Sequence, residues 1–184
     1  MGDISYALPE YITGEDIRTL RKRLHLTQKE LAALLRVAKQ TVVHWENSDA
    51  RITGPAVLAV KVLREMPDYC SKLVIPRQEF PLRLSYYYRN ELCTTIDVSD
   101  RTMEVRIRNY TRNVQNCAFG INTEPTYEDY QEFLKSRCFP QTRDKAKLEL
   151  KELGLPFYDP LMIIEKTNGR VAEDDFWVKV ERKA

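Results

Sequence analysis

An all-α domain of four to five short helices, followed by an α+β domain with a small antiparallel sheet, is the fold class this sequence predicts. Three observations carry it. Apolar residues recur at helical spacing as far as Met66. From about residue 80 they alternate as strand residues do, and after Pro125 the helical spacing returns. These shifts set the expected domains at 1–69 and 80–184, with a linker over 70–79.

Each element has its own signal. Thr13 is a good N-cap, with Asp16 three residues on to close a capping box, and Ile17, Leu20, Leu24 and Leu26 form the apolar stripe of a first helix. Thr27 and Glu30 repeat the box at the start of a second, whose buried face is Leu31, Leu34 and Leu35. A third helix runs through Lys39, Val42, Val43, Trp45 and Glu46, until Asn47-Ser48-Asp49-Ala50 breaks the pattern. Pro55 suits the first turn of a fourth, which continues through Val57, Leu58, Val60, Val62 and Leu63 to Met66-Pro67.

In the second domain Leu82, Leu84, Tyr86 and Tyr88 share one side of a strand, and Arg83, Ser85, Tyr87 and Arg89 share the other. Two further strands, 94–98 and 103–108, flank a turn at Ser99-Asp100-Arg101. Thr126 and Asp129 cap a helix carrying Tyr127, Tyr130, Phe133 and Leu134. A second helix is expected over 142–153, closed by Gly154, and a third over 160–166, stopped by Asn168-Gly169. Phe176 to Val180 reads as a final strand.

Composition narrows the function classes. With 43% hydrophobic residues the 184-residue chain can build real cores. No stretch of about 18 apolar residues offers a membrane span. The opening MGDISYALPEY lacks a basic segment followed by an apolar one, so a cytoplasmic location is expected. Cys70, Cys93, Cys117 and Cys138 form no C-x-x-C pair and have no histidine nearby, which argues against zinc. Net charge is only +2, but its distribution is uneven. Arg18 to Arg51 carries eight basic residues against three acids, a compact footprint of the kind phosphates attract.

The string LTQKELAALLRVAKQTVVHWENSD resembles the Cro/repressor-type helix-turn-helix family, the xenobiotic-response-element regulators. The matching residues are Leu26, Thr27-Gln28, Glu30-Leu31-Ala32, Leu35, Val37, Thr41-Val42 and Trp45-Glu46. Small Ala32 falls where two helices approach, while Leu35, Val37, Val42 and Trp45 fill the space between them. In such a module the third helix enters the major groove of double-stranded DNA. The resemblance makes Lys39, Gln40 and His44 the base readers. Their chemistry suits the task, since Lys donates to guanine and Gln can bridge the adenine edge. It places Gln28, Thr41, Asn47 and Arg51 against the DNA backbone and pairs Arg21 with Glu46 as a structural ion pair. A solvated helix face is the plain alternative for Lys39, Gln40 and His44.

Two residues depart from the family pattern. Arg36 stands where glycine is usual, at a turn with positive φ, and should cost about 1 kcal/mol. Ala38 replaces the Ser or Thr that caps the recognition helix, a loss of roughly 1 kcal/mol.

The stretch RITGPAVLAVKVLREMPDY resembles the helix after this module in antitoxin-like autoregulators of the MqsA type, without their zinc domain. Further on, Arg137, Pro140, Arg143, Pro160, Gly169-Arg170 and Asp174-Asp175-Phe176-Trp177 resemble small domains associated with HipA-type kinases. That resemblance implies a sensing or partner-binding module and not a kinase, because no glycine-rich loop, H-R-D or D-F-G set is present. Asp174 and Asp175 could hold Mg²⁺, and Arg137 with Arg143 a phosphate. Without an activated nucleophile or histidine base, a turn and ordinary ion pairs explain them better. Alternating Tyr86, Tyr87 and Tyr88 likewise read as sheet residues before base-stacking ones.

The expected function is sequence-specific DNA binding, as a repressor of its own operon. The chain is expected to be a homodimer and not an enzyme, with no cofactor or metal. The second domain is expected to supply the dimer interface or a partner site. The alternative is an antitoxin-like protein that mainly neutralises a toxin or HipA-type kinase through that domain.

Overall fold

The structure, a computed structural model, describes residues 5–183 and divides into two compact units, the first ending in sequence at Ile75 and the second beginning at Pro76. The first unit is helical: α1 (Gly14–Arg23), α2 (Gln28–Leu35), α3 (Lys39–Asn47), α4 (Pro55–Glu65) and α5 (Pro67–Leu73). Both predicted capping boxes form. The Thr13 hydroxyl accepts from the Asp16 N–H while Asp16 accepts from the Thr13 N–H at 2.7 Å, and Thr27 and Glu30 do the same. Ile17, Leu20, Leu31, Ala32, Val42, Val57 and Val60 fill the centre of the unit. Each large side chain so buried contributes about 1.5–3 kcal/mol. A two-residue antiparallel bridge between Ile12 and Ile52, with both N–H···O contacts at 2.9 Å, fastens the segment before α1 to the loop after α3.

The stretch read as a linker begins inside α5, so residues 70–73 are helix. Pro67 sits in the first turn of that helix, where its missing N–H is harmless, and does not act as a stop. Cys70 turns inward to the core. The later part, 76–81, lies on the second unit. The Arg83 guanidinium donates to the Pro76 carbonyl at 2.8 Å, and the Gln78 amide donates to the carbonyls of Phe80, Pro81 and Glu181.

The second unit is a four-stranded antiparallel sheet with helices on one face. Its strands are β1 (Leu82–Tyr88), β2 (Glu91–Ser99), β3 (Glu104–Asn109) and β4 (Phe176–Arg182), in the order β3-β2-β1-β4. Between β3 and β4 come α6 (Tyr127–Ser136), α7 (Ala146–Glu152) and α8 (Pro160–Thr167). Alternation puts Leu82, Leu84 and Tyr86 on the covered face with Ile96, Val98 and Val178, packed with Tyr130, Phe133, Ile163 and Ile164 of the helices. The tyrosine run splits across the sheet accordingly. Tyr86 meets Phe133 edge-on, whereas Tyr87 stacks on Trp177 with ring centres 4.3 Å apart.

The helix expected over 142–153 starts at Ala146. Turns closed by Arg143 N–H to Pro140 O and Ala146 N–H to Arg143 O occupy the preceding residues, and Thr142 caps nothing. The cysteines are free thiols, and burial pushes Cys138 up to about 12, which removes it from thiolate chemistry.

Candidate nucleic-acid interface

The geometry of the basic region is set by the turn between α2 and α3. Arg36 takes a left-handed conformation, φ 57° and ψ 38°, as the place usually held by glycine requires. The Val37 N–H returns to the Ala32 carbonyl at 3.0 Å, which closes α2 and redirects the chain. Ala38 then begins α3 with no side-chain cap. Lys39 and Gln40 thus open a helix whose first N–H groups have no side-chain partner, and those groups favour anions.

One side of α3 is locked to the rest of the unit. Glu46 is 6% exposed and sits at the junction of three helices. Arg21 of α1 grips both its oxygens, at 2.6 and 3.1 Å, and also donates to the Leu26 carbonyl. The Gln28 amide of α2 adds a contact of 2.8 Å. Burial raises the Glu46 pKa, but the hydrogen bonds from Arg21 and Gln28 outweigh it and hold the carboxyl below its ordinary range. Two residues outside the sequence reading complete the lock. The Arg18 guanidinium donates to the Glu46 carbonyl at the end of α3. Gly14 lets α1 approach so closely that a Cβ there would lie 2.1 Å from the Trp45 carbonyl oxygen. A glycine directly after the Thr13 cap was the available signal for that approach, though only the tertiary contact explains it.

The opposite side of α3 is free of the core. Lys39, Gln40, His44 and Asn47 are exposed, and Val43 lies between them half-buried. Their positions recur every three to four residues, so they form one face. Thr41 is half-buried at the edge of that face. Arg51 is exposed in the following loop, with its guanidinium 4.4 Å above the ring of Tyr11. His44, Ser48, Arg51 and Thr53 border a small groove between α3 and this loop. Gln28 differs from the expectation, since one N–H of its amide is directed inward to Glu46 and not outward to solvent.

A model of the helix-turn-helix family matches residues 17–60. The first unit is a helix-turn-helix domain. This chain is also 37% identical over 78 residues to the HTH-type transcriptional regulator DicA of Escherichia coli strain K12. That alignment covers 39% of this chain and 58% of the regulator, so the chain matches a little over half of its relative. No solved structure matches the chain.

Beyond the helix-turn-helix domain, the charged residues weighed for chemistry each have an ion-pair partner. Arg137 is 5% exposed and holds Asp174 through two contacts of 2.7 and 3.0 Å, while also donating to the carbonyls of Gly169 and Phe176. Its hydrogen bonds keep the Asp174 carboxyl below the usual range. Asp175 pairs with Arg89 at 2.8 Å, and Arg143 pairs with Glu149 at 3.2 Å. No described helix is long and apolar enough to cross a membrane.

Proposed function

We propose that this chain is a sequence-specific DNA-binding regulator of transcription that represses its own operon. The observation that carries this is the division of α3. Glu46 and its three tethers fix one side, leaving Lys39, Gln40, His44 and Asn47 as a rigid polar face on a basic domain. Such a face can be held against base edges with little loss of side-chain and backbone freedom, which is the requirement for direct readout. Lys39, Gln40 and His44 read bases, while Thr41, Asn47, Arg51 and the outer N–H of Gln28 meet phosphates. The internal pairing of Arg137, Asp174 and Asp175 supports a non-enzymatic role. One recognition helix reads only a few base pairs. Two copies on a two-fold operator, with half-sites about 34–36 Å apart, supply useful affinity.

The test is a binding titration against duplex DNA from upstream of the gene, with a scrambled duplex and the Lys39→Ala/Gln40→Ala/His44→Ala variant as controls. Salt-sensitive binding that prefers the upstream duplex and fails in the variant is the expected result. Equal, weak binding to both duplexes overturns the reading and favours a role in neutralising a protein partner through the second unit.

A further inference from the structure

The loop after α3 carries a cation held by an aromatic ring. The Arg51 guanidinium lies over Tyr11, 4.4 Å from the ring centre. Arg89, Arg106 and Arg137 also lie over rings, but each is bonded to a carboxylate as well, Asp175, Glu79 and Asp174. Among the described residues Arg51 has the ring alone. Stacking occupies the flat face of a guanidinium and leaves the N–H donors along its edge free to bond. The backbone sets this contact up. Ile12 and Ile52 are buried and form the antiparallel bridge, so the residues beside them share the outer side of the pair. Tyr11 then lies diagonally across from Arg51, within reach of an aromatic and a long side chain. Arg51 also borders the open groove at the end of α3, about 240 Å³ in volume. Ser48 and Thr53 bring hydroxyls to that groove and His44 an imidazole, and among the described residues no carboxylate lines it. The Ser48 oxygen already accepts from the Ala50 N–H at 3.0 Å, which leaves its own proton to donate. Donors around a groove free of acids suit an oxyanion.

We propose that Tyr11 is a positioning residue for DNA binding, holding Arg51 so that the edge of its guanidinium meets one backbone phosphate seated at this groove. The inference rests on the DNA-binding reading. It extends the interface to the segment before α1, outside the residues 17–60 that the family model matches. What the ring supplies is order. A loose arginine gives up side-chain freedom when it meets a phosphate, and the ring removes that cost beforehand, a gain of about two- to tenfold in affinity.

A double-mutant cycle on the full chain, titrated against the upstream duplex, is the test. Arg51→Ala should weaken binding and reduce the slope of log affinity against log salt by about one. Tyr11→Leu keeps an apolar side chain but no ring. It should cost about two- to tenfold with Arg51 present and nothing in the Arg51→Ala background. Tyr11→Phe keeps the ring and should rescue the affinity. A second measurement needs no DNA. NMR relaxation of the Arg51 Nε–Hε group should show it ordered in the wild type and in Tyr11→Phe, and mobile in Tyr11→Leu. Equal losses from Tyr11→Leu in both backgrounds give Tyr11 a merely structural role and overturn the proposal. An unchanged affinity in Tyr11→Leu overturns it too, as does an Arg51 side chain that is mobile in the wild type. If the ring orders Arg51 but no duplex is bound, the ring contact stands and the DNA-binding reading fails.

Discussion

Arg21 in the first unit and Arg137 in the second do the same thing with the same chemistry. Each is a shielded guanidinium gripping a carboxylate far along the chain, Glu46 and Asp174, through paired hydrogen bonds; Arg21 also holds one backbone carbonyl and Arg137 two. Their surroundings differ. Behind Arg21 the tether immobilises a helix whose other side presents Lys39, Gln40 and His44 to solvent. Behind Arg137 it closes the loop between α8 and β4, and the pairing engages both the carboxylate that a metal site would have needed free and the guanidinium that a phosphate site would have needed. A buried arginine is therefore no sign of a site. What distinguishes the two units is the unengaged polar face that one clamp stiffens.

The largest expected effects come from breaking each clamp separately. Glu46→Ala strands Arg21 and Gln28, and Arg137→Ala strands Asp174 and two carbonyls; either should cost about 3–5 kcal/mol, read by denaturant unfolding. Hydrogen exchange sharpens the comparison, because Glu46→Ala should deprotect the amides of α1 to α3 and Arg137→Ala those of β4 and α8. Deprotection spread evenly over both units by either substitution would refute their independence. Next in size is Gly14→Ala, whose Cβ would meet the Trp45 carbonyl at 2.1 Å and push α1 from α3. A loss of about 1–3 kcal/mol is expected, with weaker DNA binding as α3 shifts. Smaller and opposite in sign are Arg36→Gly and Ala38→Ser, each expected to stabilise the first unit by about 1 kcal/mol, by relieving the left-handed residue and supplying a cap. An unchanged melting temperature in Arg36→Gly would show that the turn carries no strain.

Acid should separate the units more gently. Glu46 is depressed from 4.5 and Asp174 from 3.8. A carboxylate depressed in the folded state contributes stability that is full above its unfolded value and is lost as pH falls through its folded one. The Glu46 contribution therefore starts to fade at higher pH, and the first unit should weaken before the second below about pH 4.5. In Glu46→Gln, thermal melts of the first unit should show a flatter pH dependence.

What the sequence made legible was mostly short in range. The boxes at Thr13/Asp16, Thr27/Glu30 and Thr126/Asp129 all form, because cap and partner lie three residues apart and no other part of the chain is consulted. The alternation of β1 held for the same reason. Pro67 and Thr142 were ambiguous because each residue type can start, stop or merely border a helix, and packing decides which. The polar face of α3 was legible through the family resemblance. What stiffens it was only partly so. Arg21 and Glu46 belong to the pattern, but Gly14 and Arg18 act through backbone atoms about 30 residues away, and backbone atoms leave no trace in side-chain identity. Arg83 shows the same limit. Alternation put it correctly on the outer face of the sheet, yet it is 6% exposed because Asp97 and the 76–81 segment enclose it.

The strand order has a consequence for how this protein is made. β1 lies at the centre of its sheet and pairs on one side with β4, Leu82 opposite Arg182. During synthesis β1 emerges early and must wait for residues 176–182 before that edge is filled, with an apolar face exposed meanwhile. The helical unit faces no such delay, since its core is built from residues 12–70, all released before the sheet is complete. It can fold on the ribosome while the sheet is still incomplete, so the sheet is where slow folding and chaperone dependence should concentrate.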